Sequence, residues 1–418
     1  MAGVIARRGP AQLISVNERV FCATRYALAN IIYILSGKSV VVIDTTGGMA
    51  TAKASLADFQ KISMLPARYI IYTHFHSDHI RGAKVFHTPA TQVIAQRRLP
   101  EELASMNRVR TYRRRIVVLQ FGLGLDSGKQ DVTALHDADD GYLPPDILVD
   151  EEYEFELADL SFKLYHTQGE STDHLMVWIP EMRMLFPGDL YYNSFPMLSN
   201  PMKPPRPVLA WAESLDRMRA LRPRYLVPSH GAPLSGAAEI DTVLANYAQA
   251  IRHVHDETVN QINHGRSLDE IIRHVALPPR LAGLPYLQER YGTVAWSVTG
   301  IFSQYTGWYN LNPAALNSSP RSVLHQALLD ATEGPARLLD RATRALGEGQ
   351  NQLALELSDI VLTALPSNWR AHRISQQALQ SLAVETENPV ARNIYLRAAK
   401  GSTRSRRPSF DLPQMRLG

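Results

Sequence analysis

Seven residues, Thr73-His74-Phe75-His76-Ser77-Asp78-His79, limit what this chain can fold into more than any other feature of it. They follow directly on the apolar run Arg68 to Tyr72 (RYIIY), which reads as a β-strand. Three imidazoles and a carboxylate in six positions suit neither a core nor an ordinary surface. A turn at the strand end sends His74 and His76 one way and Asp78 and His79 another, so one loop can serve two neighbouring cations. Imidazole nitrogen with carboxylate oxygen is a set that zinc favours and that iron or manganese also accepts.

Cys22 is the only cysteine, which excludes an intramolecular disulfide and a thiolate cluster and leaves any metal to His and carboxylates. The pattern around the motif is α/β from about residue 12 to 235. Ser39 to Ile43 (SVVVI), Leu160 to Tyr165 (LSFKLY), Met184 to Phe186 (MLF) and Tyr225 to Pro228 (YLVP) are further strand-like runs. Each delivers a polar or glycine-containing loop: Asp44-Thr-Thr-Gly-Gly, Gln168-Gly-Glu, Pro187-Gly-Asp and Ser229-His230-Gly231. Loops at strand ends are where rigid scaffolds present chemical groups, and counting the histidine motif five strand ends carry candidate ligands.

A chain of 418 residues exceeds one hydrophobic core and implies roughly two or three domains. With 45% hydrophobic and 20% charged residues the chain lies outside the disordered class. The net charge of +4 is small for the length and gives no ground for a nucleic-acid partner. Arg110, Arg113, Arg114 and Arg115 read as a solvated face rather than a patch that attracts an anion. Met1 to Pro10 lacks an apolar run of signal-peptide length, and no stretch reaches the about 18 apolar residues of a membrane span, so a cytoplasmic location is expected.

From Ala237 the pattern turns helical. Ile240, Val243, Leu244, Tyr247, Ile251 and Val254 recur at three- and four-residue intervals on one face. Further helices are expected at Leu268 to Val275, around a second stripe (Leu353, Leu357, Ile360, Val361, Ala364) that stops at Pro366-Ser-Asn, and at Trp369 to Leu382 and Asn388 to Lys400. Paired helices with this turn chemistry fit a tetratricopeptide-like repeat or a plain antiparallel bundle. The end of the chain, with Arg404, Arg406, Arg407 and Arg416, is expected to be disordered.

The His-x-His-x-Asp-His motif after a strand resembles the hallmark of the metallo-β-lactamase fold, an αββα sandwich in which Asp44, the motif and three later loops converge. That resemblance covers about residues 12 to 235. Where most of the superfamily has a Pro-Gly-His-Thr loop, this chain has Gln168-Gly169-Glu170-Ser171, so Glu170 takes the place of the third His. Phe186-Pro187-Gly188-Asp189 matches the Gly-Asp whose carboxylate bridges the metals, and Ser229-His230-Gly231 matches the last His. The resemblance thus implies two cations, zinc by expectation. His74, His76 and Glu170 would hold one, Asp78, His79 and His230 the other, and Asp189 both. Two cations lower the pKa of a shared water toward that of a usable hydroxide, and catalysis is expected to depend on Asp78 and Asp189.

Glu170 and the C-terminal half narrow the resemblance to the zinc-dependent alkyl sulfatases. Tyr291-Gly-Thr-Val-Ala-Trp-Ser-Val and Tyr305-Thr-Gly-Trp-Tyr-Asn-Leu-Asn-Pro313 are similar to patterns of that family's helical dimerisation domain. The block Arg337 to Ala399, with Gly349, Ala354, Pro366, Asn393 and Tyr395, is similar to the helical repeat that follows. The resemblance implies a catalytic domain over 1–236, a dimerisation domain over 237–402 and a basic tail over 403–418, without the sterol-carrier-like domain of longer members. It also implies a homodimer that cleaves sulfate esters. Another ester (a phosphodiester, lactone or β-lactam) on the same metals is the alternative, and a partner-binding scaffold with structural metals is the non-enzymatic one.

Family members tend to carry Asn-Leu-Tyr-x-x-Arg-Gly after the bridging carboxylate. This chain has Met197 where the Asn is expected and lacks the Arg-Gly, which leaves Lys203 or Arg206 to meet an anionic head. Tyr192 and Asn193 are candidates to hydrogen-bond the substrate oxyanion, with core packing the other reading for the tyrosine. His174 either orients a ligand or is a structural histidine. Trp296, Tyr305, Trp308 and Tyr309 read as core or dimer-interface aromatics.

Overall fold

The computed structural model describes residues 9–123, 125, 141–310 and 312–402, and the basic tail expected to be disordered lies outside them. The described chain divides into two compact units. One takes in the described residues of Arg7–Arg113 and Thr133–Trp308, the other those of Arg114–Val132 and Tyr309–Gly418. The unit with the sheets therefore runs on to Trp308, past the change of pattern at Ala237.

The first unit is built on two sheets. One has seven strands in sequence order: β1 (Gln12–Ser15), β2 (Val20–Thr24), β3 (Ile31–Ser36), β4 (Ser39–Ile43), β5 (Ala67–Ile71), β6 (Gln92–Gln96) and β7 (Ile147–Val149). It is antiparallel up to β4 and parallel from β4 to β7. The other has six: β8 (Glu152–Leu157), β9 (Leu160–Thr167), β10 (His174–Ile179), β11 (Met184–Phe186), β12 (Tyr225–Leu226) and β13 (Leu234–Ser235), ordered β13-β12-β11-β10-β9-β8.

Alternation along the strands explains the layering. In β10, Leu175, Val177 and Ile179 join Ile32, Ile34, Val41, Ile43, Phe162 and Leu164 in a core between the sheets. Met176 and Trp178 point the other way, into a core with Trp211, Leu215, Tyr247 and Ile251 from the helices Val208–Ala220 and Ala237–Asn263. The far face of the first sheet is covered by Ala52 and Phe59 of the helix Met49–Phe59 and by Leu99. A strand buried on both faces must be apolar at every position, as HLMVWI is after its first residue. The edge strand β8 instead alternates exposed Glu152, Glu154 and Glu156 with half-buried apolar residues, which blunts that edge. The result is the αββα sandwich of the sequence reading, and the whole stripe Ile240 to Val254 is buried.

The second unit is helical. Arg321–Ala331, Pro335–Gly347, Asn351–Ala364, Trp369–Glu385 and Pro389–Ser402 pack each against the next, except that Arg321–Ala331 meets Asn351–Ala364. They share a core of Leu329, Leu339, Ala342, Ala354, Val361, Ala371, Ile374 and Ala378. Asn368 caps its helix by accepting from Ala371 N, so Pro366-Ser-Asn both ends one helix and starts the next. The unit also includes residues from 114 on: the Asn393 amide donates to Gln120 O at 2.9 Å, and Arg397 donates to Leu123 O. No described helix is long and apolar enough to cross a membrane.

The sheets place the five loops together. Asp44 follows β4, the histidine motif β5, Glu170 β9, Asp189 β11 and His230 β12, all at C-terminal strand ends. Two backbone bonds join the sheets at that edge, Leu175 N to Thr73 O at 2.7 Å and Asn30 N to Ser229 O at 2.7 Å. Phe162 is fully buried between the sheets and stacks on Phe155 at 4.8 Å. Phe162→Ala is expected to destabilise this unit by about 3–5 kcal/mol, read as a lowered urea midpoint of its unfolding transition.

Candidate metal centre

Asp44 lies at the end of β4 with φ 57°, a left-handed conformation that a non-glycine residue adopts only when its surroundings enforce it. They do so through its carboxylate. Oδ1 accepts from Thr73 N at 2.9 Å; Oδ2 accepts from His79 Nδ1 at 2.7 Å and Ser229 Oγ at 2.6 Å; Thr73 Oγ1 lies 2.9–3.0 Å from both oxygens. Asp44 thereby fixes the proton of His79 on Nδ1 and leaves Nε2 as a free lone pair.

Two further imidazoles, of His74 and His230, are oriented in the same manner. Thr73 Oγ1, already donating to Asp44, can accept from His74 Nδ1 at 3.1 Å, which leaves His74 Nε2. His230 Nδ1 donates to Leu28 O at 3.1 Å, which leaves His230 Nε2. Asn30 braces that loop through Pro228 O and Gly231 O. Binding partners on the far ring nitrogen are how proteins set the tautomer of a ligating histidine.

The freed atoms gather in two groups able to hold metal ions: His74, His76 and Asp189, and Asp78, His79 and His230. In the second, Asp78 Oδ2 stands 3.5 Å from His79 Nε2 and 3.6 Å from His230 Nε2. Ligands around one tetrahedral zinc stand about 3.3 Å apart, so these spacings fit one ion. Asp189 Oδ2 lies between the groups, 3.2 Å from His230 Nε2, 3.6 Å from His79 Nε2 and 3.9 Å from His74 Nε2. Glu170 sits beside the first group, with Oε1 3.6 Å from His76 Nδ1.

Three buried atoms at the centre, His79 Nε2, Glu170 Oε2 and Asp189 Oδ1, have no hydrogen-bond partner among the described residues. Leaving such atoms bare is costly, and cations held by the two groups would satisfy them. The charges suit it. Burial opposes ionisation of Asp78 and Asp189, yet the neighbouring His79 and His230 hold both carboxylates below the usual range. Burial pushes Glu170 up to about 7, against the pull of Arg206. Nitrogen and ionised oxygen donors of this kind form a divalent-metal site.

His174 proves to hold the Asp189 loop. Asp189 N donates to His174 Nε2 at 3.1 Å, and His174 Nδ1 faces Thr167 Oγ1 at 3.2 Å. Gly188, at φ 54°, lets the loop pass over that ring, since a Cβ there would stand 2.5 Å from His174 Nε2.

Of the expected substrate contacts, Tyr192 is a core residue. Its hydroxyl accepts from Met197 N at 2.7 Å, and its ring meets Trp211, Tyr247 and Tyr291 edge-on. Asn193 is exposed and Met197 fully buried. Arg206 is buried and ion-paired with Glu170. Lys203 is half-buried close to it, and burial together with Arg206 lowers its pKa to about 8. Tyr291, which opens one of the patterns similar to the dimerisation domain, lies within electrostatic range of Glu170, Arg206 and Asp78.

Residues 27–230 match the model of the metallo-beta-lactamase superfamily, and residues 267–405 match that of alkyl sulfatase dimerisation. A linear primary-alkylsulfatase from a Pseudomonas species is 30% identical over 381 residues, covering 87% of this chain and 72% of that protein. An (R)-specific secondary-alkylsulfatase from Pseudomonas is 27% identical, covering 93% of this chain and 62% of the relative, so the chain spans less than two thirds of this one. Among solved structures, the stereoselective inverting sec-alkylsulfatase Pisa1 from Pseudomonas superposes with a TM-score of 0.86 at 23% identity, over 95% of this chain and 66% of that one, which shows a shared fold. With donor groups, sandwich and helical unit in one chain, and a 30% identical relative matched over most of both lengths, this chain belongs to the alkyl sulfatase family of the metallo-beta-lactamase superfamily.

Proposed function

We propose that the chain is a dinuclear metal-dependent hydrolase of sulfate esters, and that the metal is zinc. The observation that carries the reading is a set of three buried atoms, His79 Nε2, Glu170 Oε2 and Asp189 Oδ1, that have no hydrogen-bond partner among the described residues and lie at two donor groups. His74, His76 and Glu170 would hold one cation, Asp78, His79 and His230 the second, and Asp189 both. When bound, two such cations lower the pKa of a shared water and neutralise charge that builds on the ester.

The chain's own residues supply the rest. Asp44, Thr73 and Leu28 O hold the imidazoles with their lone pairs inward, so little reorganisation accompanies binding. Lys203 places its amino group within electrostatic range of His76 and Glu170, where it can meet a singly charged ester head. Sulfate esters are the class named for the relatives, and an alkyl sulfate is the substrate proposed here. The match of residues 267–405 to the dimerisation model supports a homodimer.

A panel of sulfate, phosphate, lactone and β-lactam substrates is expected to give chelator-sensitive turnover on alkyl sulfates alone, and turnover only on another ester would replace the substrate while keeping the site. Asp78→Ala should abolish turnover and leave the circular dichroism spectrum unchanged; retained turnover would contradict the role given to Asp78. Lys203→Gln should cost about 1.5–3 kcal/mol of binding, a rise in KM of roughly ten- to a hundredfold. Sedimentation at micromolar concentration is expected to show a dimer, and a monomer would refute that part of the reading.

A further inference from the structure

Arg206 is anchored on every side. Its backbone N donates to Leu198 O at 3.1 Å, and its carbonyl accepts from the Gln304 amide at 2.7 Å. One terminal nitrogen donates to Met197 O and the other pairs with Glu170 Oε1. The guanidinium lies 5.8 Å from the centre of the Trp211 ring, and the residue is 7% exposed. Lys203, three residues earlier, is half-buried and has no carboxylate within ion-pair distance among the described residues.

The two cations therefore differ in availability. The guanidinium is already ion-paired with Glu170 and bonded to a backbone carbonyl, whereas the Lys203 ammonium has no such ion pair among the described residues. What the guanidinium does follows from the geometry of Glu170. Oε1, which stands 3.6 Å from His76 Nδ1, is held by Arg206, and that orients the carboxylate so that Oε2 is buried with no hydrogen-bond partner among the described residues. Gly169 presses this loop against Trp211 and Leu190, where a side chain would not fit, so the backbone is fixed as well.

Charge gives the pair a second role. A neutral imidazole brings no charge to a metal centre, whereas a buried carboxylate brings a full negative one, and a guanidinium against it cancels that charge. Resting on the metal reading proposed above, we infer that Arg206 is a positioning residue for the ligand Glu170, that the Glu170–Arg206 pair acts as one unit in place of a neutral imidazole, and that Lys203, the cation without a carboxylate partner, meets the substrate anion. Breaking the unit from either side leaves a buried charge uncompensated: a rotating carboxylate in one case, a guanidinium facing two cations in the other.

The test is a double-mutant cycle read by metal analysis and chelator competition. Arg206→Gln should loosen one of the two metals by roughly 10- to 100-fold, with partial recovery in Arg206→Lys. Glu170→His alone should also loosen a metal, because the guanidinium remains. The double variant Glu170→His with Arg206→Gln should recover most of what either single change loses. Thermal unfolding of the metal-free forms identifies any variant that fails to fold; if Arg206→Gln does, Arg206→Lys and the double variant carry the comparison. Metals as tight in Arg206→Gln as in the unaltered chain, or losses that simply add in the double variant, would overturn the inference while leaving the dinuclear reading intact. An unaltered chain that holds no stoichiometric divalent metal would overturn both.

Discussion

One carboxylate ties the site together. Asp44 accepts hydrogen bonds from Thr73 and His79 of the histidine loop and from Ser229, which follow strands of the two different sheets. Its left-handed backbone, repeated at Thr46 (φ 63°), costs about 1–2 kcal/mol per residue. The fold sustains that strain because the buried acceptor has several charge-assisted partners, and because the strand ends that carry them are locked by backbone bonds between Leu175 and Thr73 and between Asn30 and Ser229. Asp44 touches no donor atom that faces a cation, yet it decides which nitrogen of His79 does.

From that hub the logic runs outward in pairs. Each imidazole with Nε2 inward has its Nδ1 occupied by Asp44, Thr73 or Leu28 O, and Asp189 has its loop held by His174 over Gly188. Glu170 has Arg206. An arrangement in which these inward atoms have outward partners is largely set before any cation arrives. The cost of the three polar atoms at the centre that lack a partner among the described residues would then be met by a positive charge rather than by rearrangement.

Much of this was legible in the sequence, for a local reason. Apolar runs such as Ser39–Ile43 and Met184–Phe186 are strands in the structure as read, because residues buried on both faces cannot be polar. The donor loops stood out because polar residues at the ends of such runs have no packing role. What stayed hidden depends on long-range contacts. Nothing near Asp44 announces Ser229, 185 residues away. Nothing in the segment from residue 114 indicates that Gln120 and Leu123 pack with Asn393 and Arg397. Lys203 and Arg206 were interchangeable as cations in the sequence, and only the position of Glu170 separates them. Tyr192 looked equally suited to substrate and core until Met197 N was found on its hydroxyl.

Anomalous X-ray diffraction from crystals of the purified chain, recorded above and below the zinc edge, tests the central claim most directly. The account predicts two peaks about 3.5–4 Å apart, one among His74, His76, Glu170 and Asp189 and one among Asp78, His79, His230 and Asp189. A single peak, or a pair of peaks that Asp189 does not join, would contradict it.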